Sequence, residues 1–261
     1  MRIWANTIVH NEENFIWFAI MSVVDFVDKV LIYDTGSTDK TVEIIREIQK
    51  IKGKKIEFRE IGEVDKYQFT KARQEMLDYS DCDWILIVDG DEIWWEESIK
   101  SLIKKIKNIK QGSIFVPFIV PVGDIYHLQD KFAGRYNIQG KVGNFSLKAI
   151  SKKIPGLHVD LPYGMEGYFD KNNLPIQRRK DCIFLNTPYF HATHLKRSSK
   201  KNDKYKYELG KKVGKDFKFP EVLSELAPEI VPSPWQKIST INLIKSQILT
   251  PLKKIRRGVL N

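Results

Sequence analysis

The sequence predicts an α/β domain built on a mostly parallel sheet flanked by helices, followed by a basic helical appendage. Three observations point there. Short, nearly all-apolar runs alternate with segments of helical period through the first 110 residues. The polar clusters 10–14, 34–39 and 89–92 each follow directly on such a run. The excess of basic residues is confined to the C-terminal quarter of the chain. Wholly apolar strands are buried on both faces, and in sheets of that kind ligands gather beyond the carboxyl ends of the strands. The three polar clusters therefore mark one candidate crevice.

The elements follow in order. Trp4–His10 is β-prone, and after Asn11-Glu12-Glu13-Asn14 apolar residues return at helical spacing from Phe15 to Val23. Lys29–Tyr33 is a second strand ending in Asp34-Thr35-Gly36-Ser37-Thr38-Asp39, whose Ser and Asp can cap a helix carrying Val42, Ile45 and Ile48. Lys55–Arg59 is a third strand, Thr70–Tyr79 a helix, and Trp84–Val88 a fourth strand running into Asp89-Gly90-Asp91-Glu92. Ser98–Lys110 reads as a basic amphipathic helix. Beyond it, Ile114–Val122, Asn144–Ile150 and Cys182–Phe190 read as strands, with His158-Val159-Asp160 and Glu166 in the longest loop. The expected organisation is one α/β domain over 1–195, with a nucleotide-binding half (1–110) and an acceptor half (111–195), and a helical extension over 196–261.

Composition bounds the class. At 261 residues, with 42% hydrophobic and 29% charged, the chain can bury a full core and does not resemble a disordered, collagen-like or disulfide-scaffold protein. No apolar run reaches the ~18–20 residues of a membrane-spanning helix, and no secretory leader is apparent, so the expectation is a cytoplasmic protein. Cys82 and Cys182 are expected to be free thiols. Of 43 basic and 33 acidic residues, 16 and 6 lie in 196–261, which leaves a body with 27 of each. The tail therefore carries the whole net charge of +10 and should meet something acidic.

Asp89-x-Asp91 at the end of a buried strand places two carboxylates at the rim of the crevice, near the acidic strand end at Asp34. Clustered carboxylates repel one another, so the arrangement makes sense chiefly with a divalent cation, Mn2+ or Mg2+, that holds them against a diphosphate. A guanidinium offers a planar fork of donors for phosphate oxygens, which makes Arg73, beside Lys71, the candidate for neutralising a leaving diphosphate.

Four segments in order, VHNEENF (9–15), YDTGSTDKT (33–41), FTKARQ (69–74) and DWILIVDGDE (83–92), resemble the family-2 glycosyltransferases of the GT-A fold. The likeness is to the branch with an F-x-x-A-R-N segment before the D-x-D, and it spans about residues 3–200. It implies a GT-A-like fold and a nucleoside-diphosphate sugar donor. Asp34 would contact the nucleobase, Asn11 and Glu13 would lie along the nucleoside, and Arg73 near the diphosphate. Asp89 and Asp91 would contact ribose and metal. Gln74 stands where the family usually has Asn. Downstream the resemblance is looser: LHVDLP (157–162) and FHATHLKRS (190–198) stand where that branch has a His-acid pair and a strand ending in His with a following Arg. It implies inversion by single displacement, in which a carboxylate takes the proton of the acceptor hydroxyl; Asp160 is the first candidate and Glu166 the second. His191 or His194 is the candidate third metal ligand through a neutral imidazole nitrogen, with Arg197 near the phosphates.

Competing readings fare less well. A nucleotidyltransferase would want a Gly-rich phosphate loop at the first strand, and VHNEEN has no Gly. No G-x-G-x-x-G follows a strand, which disfavours a dinucleotide-dependent oxidoreductase. A nucleic-acid-binding protein would explain the +10 but not the acidic strand ends, so nucleic acid is not an expected partner. Glycan, lipid-linked and protein acceptors stay open. From Pro234 to Asn261 aliphatic residues recur every three or four positions among lysines and arginines with no acid, the make-up of an interfacial helix that would meet an anionic membrane surface; Pro251 is expected to kink or split it.

Overall fold

The apolar runs fold as the strands of one curled sheet. A computed structural model of the chain describes residues 1–129, 136–195 and 210–259, except for the side chains of 253, 254 and 256–259. The N-terminal strands are Ile3–Val9 (β1), Lys29–Asp34 (β2), Ile56–Glu60 (β3) and Trp84–Ile87 (β4). β1 pairs in parallel with both β2 and β4, and β2 with β3. Every residue of β4, and all of β2 after Lys29, is buried, as strands covered on both faces must be.

The helices Ile16–Met21 (α1), Thr41–Lys52 (α2), Lys66–Tyr79 (α3) and Glu96–Lys107 (α4) alternate with these strands as expected. α1 buries five of its six residues against the sheet. The expected capping of α2 takes another form. Its N-cap is Lys40, without a side-chain bond, while the Asp39 carboxylate accepts from the Thr41 N–H at 2.9 Å. α3 begins four residues before the expected Thr70 because Asp65 and Gln68 form a reciprocal capping box.

The second half completes the sheet around β4. Phe145–Ser151 is inserted antiparallel between β4 and Ser113–Ile119 (β6), and Tyr189–His191 runs parallel to β6. The short strand Glu92–Trp94 (β5) pairs antiparallel with Tyr189–His191 at the far edge, so the nine-stranded sheet is mixed at that end. The single strand expected over Cys182–Phe190 is two, Cys182–Phe184 and Tyr189–His191, because Asn186-Thr187-Pro188 lies between them and Pro has no N–H for the ladder. The expected long loop around residue 160 is instead an antiparallel hairpin, His158–Asp160 against Gly167–Phe169.

Among the described residues after 195, the α-helix begins only at Thr240, and 210–239 hold no more regular structure than the short strand Lys211–Lys212 and a 3-10 turn at Glu221–Ser224. In residues 210–239, Val222, Leu223 and Val231 join the main core, and Phe219 and Trp235 pack against it. Trp95 donates its indole N–H to the Lys218 carbonyl at 2.9 Å, and the Ile238 N–H reaches the Asp124 carboxylate at 3.1 Å. Sequence reasoning expected a helical extension there, but Phe219 and Trp235 lie in no strand or helix, and the core recruits them from an irregular strap. The last helix, Thr240–Val259 (α5), passes through Pro251 without splitting. Gln247, whose carbonyl has no N–H at position 251 to accept from, is an exposed residue, where an unmet carbonyl costs least. Among the described residues no helix is long and apolar enough to cross a membrane.

Candidate functional site

The crevice is built by loops at the carboxyl ends of β1, β2 and β4. After β1 the chain turns through Asn11, which adopts φ 55°, a left-handed conformation that Asn tolerates better than most residues. Its side-chain oxygen accepts from the Thr38 N–H at 2.7 Å, and its own N–H donates to Ser37 Oγ at 2.8 Å. Glu13 Oε2 accepts from the Lys40 N–H at 3.1 Å. Asp34 is buried with its carboxylate turned into its own loop, accepting from the N–H groups of Gly36 (3.0 Å) and Ser37 (2.9 Å) and from the Ser37 hydroxyl. Asn11, Glu13 and Asp34 thus stitch the first two polar clusters into one wall of the crevice.

The D-x-D segment forms the tight turn from β4 into β5. Glycine between the two carboxylates has a steric cause, since a Cβ at Gly90 would meet Glu12 Cγ at 3.0 Å and Val9 Cγ1 at 3.1 Å. Behind the turn lies a buried ion pair that sequence reasoning missed. Lys148 Nζ contacts both carboxylate oxygens of Glu92 at 2.6 Å, each side chain is 1% exposed, and Glu92 Oε2 accepts the Asp89 N–H at 3.0 Å. Lys148 falls at a shift in register between Phe145–Ser151 and β6, where Leu147 and Ala149 oppose adjacent residues Phe115 and Ile114. Such a bulge re-aims a side chain. The available signal was a lone Lys inside the apolar run FSLKAIS.

Opposite charges converge over this floor. Burial alone would push the Asp89 carboxyl up; Lys148, Arg73 and His191 outweigh it and hold the group below its ordinary range, as a carboxylate. Burial likewise opposes the charge on Arg73, and Tyr168, Asp89 and Glu166 overcome it, so the guanidinium is held more firmly charged. Arg73 also lies 5.2 Å from the centre of the Phe69 ring. His191 Nε2 stands 3.4 Å from Asp91 Oδ1; burial would make the ring shed its proton, but Asp91 and Glu92 raise its affinity for it. Arg73 Nε and His191 Nδ1 are buried without a hydrogen-bond partner among the described residues.

The hairpin 158–169 is docked on α3. Gln74, the departure from the family pattern, accepts the Val159 N–H at 2.7 Å, Thr70 Oγ1 donates to the Leu161 carbonyl at 2.6 Å, and the rings of Phe69 and Tyr163 lie 4.5 Å apart. This docking brings half-buried Glu166 into the field of Arg73, with Tyr163 feeling both Glu166 and Asp89. Asp160 is exposed and its carboxylate accepts the N–H of Leu161, while the Glu166 carboxylate accepts the N–H of Gly164. His194 is half-buried with its backbone bridged to Val122, and Arg197 lies outside the described residues. Among the described residues no three His, Cys, Asp or Glu side chains form a ready-made metal site. Even so, the carboxylates of Asp89 and Asp91 with His191 Nε2, 3.4 Å from Asp91 Oδ1, are a donor set whose chemistry suits Mn2+ or Mg2+.

Known proteins share the fold, and the sequence pattern of residues 7–154. The sequence profile described as Glycosyl transferase family 2 matches residues 7–154, more than half of the chain. The SPbeta prophage-derived glycosyltransferase SunS of Bacillus subtilis (strain 168) and the glycosyltransferase SunS of Bacillus phage SPbeta are each 28% identical over 145 residues. Those alignments cover 54% of this chain and 32% of the relatives, so the chain spans about a third of their length. Among solved structures, S. aureus TarS 1-349 in complex with UDP-GlcNAc superposes with a TM-score of 0.51 at 16% identity, covering 76% of this chain and 59% of that one.

Proposed function

The chain belongs to glycosyl transferase family 2, and from that premise we propose that it moves a sugar from a nucleoside-diphosphate sugar to an acceptor hydroxyl, with inversion by single displacement. Family membership selects transfer over the nucleotidyltransferase and nucleic-acid-binding alternatives. One observation supports the detailed reading: the hairpin that carries Glu166 is hydrogen-bonded to Gln74 and Thr70 of α3, the helix that carries Arg73, whose charge Asp89 and Glu166 both favour.

In this reading residues 1–110 hold the donor and 111–195 supply the acceptor side. Asn11, Glu13 and Asp34 flank the nucleoside, Asp34 after its carboxylate exchanges internal bonds for the base. Asp89 meets the ribose, and Arg73, with an unpartnered Nε, binds the diphosphate. Asp91 and His191, with Asp89, would hold Mn2+ or Mg2+, which when bound would offset the negative charge of the leaving diphosphate. Glu166 takes the proton of the acceptor hydroxyl as that oxygen attacks the anomeric carbon and the diphosphate departs. Arg73 supplies fixed positive charge where negative charge develops. The acceptor is a glycan, lipid-linked or protein hydroxyl, and α5 favours one presented at the cytoplasmic face of a membrane.

The test is a thermal-shift panel of uridine, guanosine and thymidine diphosphates and their sugars with and without Mn2+ or Mg2+. Uridine compounds come first because TarS, which shares the fold, was crystallised with UDP-GlcNAc. A ligand at 100 times its Kd stabilises the native state by about 2.7 kcal/mol, equivalent to roughly 5–10 °C for a domain of this size. No metal-dependent shift with any member of the panel would overturn the reading.

A further inference from the structure

α5 turns its apolar side outward. Ile241, Ile244, Ile248, Leu252 and Ile255 are 67%, 52%, 63%, 58% and 63% exposed, while Ser246 and Thr250 are buried at 1% and 9%. At 3.6 residues per turn the aliphatic positions fall in one arc of about 80°, and the two buried polar positions lie on the opposite side. A helix packed only to complete the core would show the reverse arrangement. An aliphatic stripe of this length on a monomer's surface marks a contact with something else.

The charge around the stripe selects the occupant. Residues 230–261 contain six Lys or Arg and no Asp or Glu, and Lys237 and Lys245 are exposed. A second copy docked stripe to stripe would bring two such segments together and repel itself. A neutral apolar partner would gain nothing from the lysines. An anionic bilayer satisfies both features, since the aliphatic arc enters the boundary of the acyl chains while the lysines stay among acidic headgroups. We propose that α5 lies in the plane of an anionic membrane surface and holds the protein there through Ile241, Ile244, Ile248, Leu252 and Ile255. The surface stands on its own observations and does not rest on the transfer chemistry.

The experiment is co-sedimentation of the full chain with vesicles of phosphatidylcholine alone and of phosphatidylcholine with phosphatidylglycerol, at low and high salt. The wild type should bind the phosphatidylglycerol vesicles, more weakly as salt rises. The variant I244S/I248S/L252S, altered only at exposed positions, should keep its melting temperature and lose vesicle binding. K237Q/K245Q should weaken binding about fivefold per lysine removed. Absence of wild-type binding, or equal binding by the triple serine variant, overturns the proposal. So does a wild type that sediments as a dimer, disperses on the triple substitution and ignores vesicles, which would make a second copy the occupant.

Discussion

Lys148→Met removes one member of the buried pair behind the D-x-D turn and leaves the Glu92 carboxylate at 1% exposure without its counter-charge. Breaking a buried pair from one side costs about 3–5 kcal/mol, or a fall of roughly 6–20 °C in melting temperature for a domain of this size. The pH dependence has a definite sign. Burial already raises the Glu92 carboxyl above its ordinary 4.5, against the pull of Lys148, and without the lysine it rises further. A carboxyl with a raised folded value favours the native state while protonated, and that contribution is lost as pH climbs through the folded value. The variant should therefore be most damaged at neutral pH, and the gap from wild type should narrow as pH falls toward 4.5. Urea denaturation of wild type, K148M, E92Q and the double variant at neutral and mildly acidic pH measures this. The double variant should recover much of the loss, because no uncompensated charge stays behind. A loss below about 1 kcal/mol in K148M, a gap indifferent to pH, or strictly additive damage would refute the reasoning.

Two further outcomes follow from the site. Glu166→Gln should lower kcat by about 10²–10⁴-fold with donor affinity nearly unchanged, whereas Asp160→Asn should change little; steady-state transfer assays with donor titration decide between them, and the reverse pattern would restore Asp160 as the base. Gly90→Ala forces a methyl to within 3.0 Å of Glu12 Cγ and should cost about 1–3 kcal/mol in thermal or urea unfolding.

The crevice was legible in the sequence because buried parallel strands announce themselves as apolar runs, and the residues ending them had to be the polar clusters at 10–14, 34–39 and 89–92. Features set by pairing between distant segments were not. Nothing local says that Phe145–Ser151 inserts antiparallel beside β4, or that a register shift turns Lys148 toward Glu92. The resemblance put Asp160 ahead of Glu166, while the docking on α3 of the hairpin that carries both is a matter of the Gln74 and Thr70 bonds, which no local pattern encodes. Helical period found α5 and its stripe. It could not say that Ser246 and Thr250 would be the residues turned inward.

Adjacent residues on α3 have opposite allegiances: the charge of Arg73 is favoured by Asp89, while Gln74 is tied by hydrogen bond to the backbone of the hairpin that carries Glu166. In the proposed reaction the leaving-group side and the nucleophile side would in this way be geared to a single rod. A tilt of that rod cannot spoil one without the other, so substitutions along its sheet-facing surface should depress donor affinity and turnover together, and paired substitutions should fall short of the product of their separate effects.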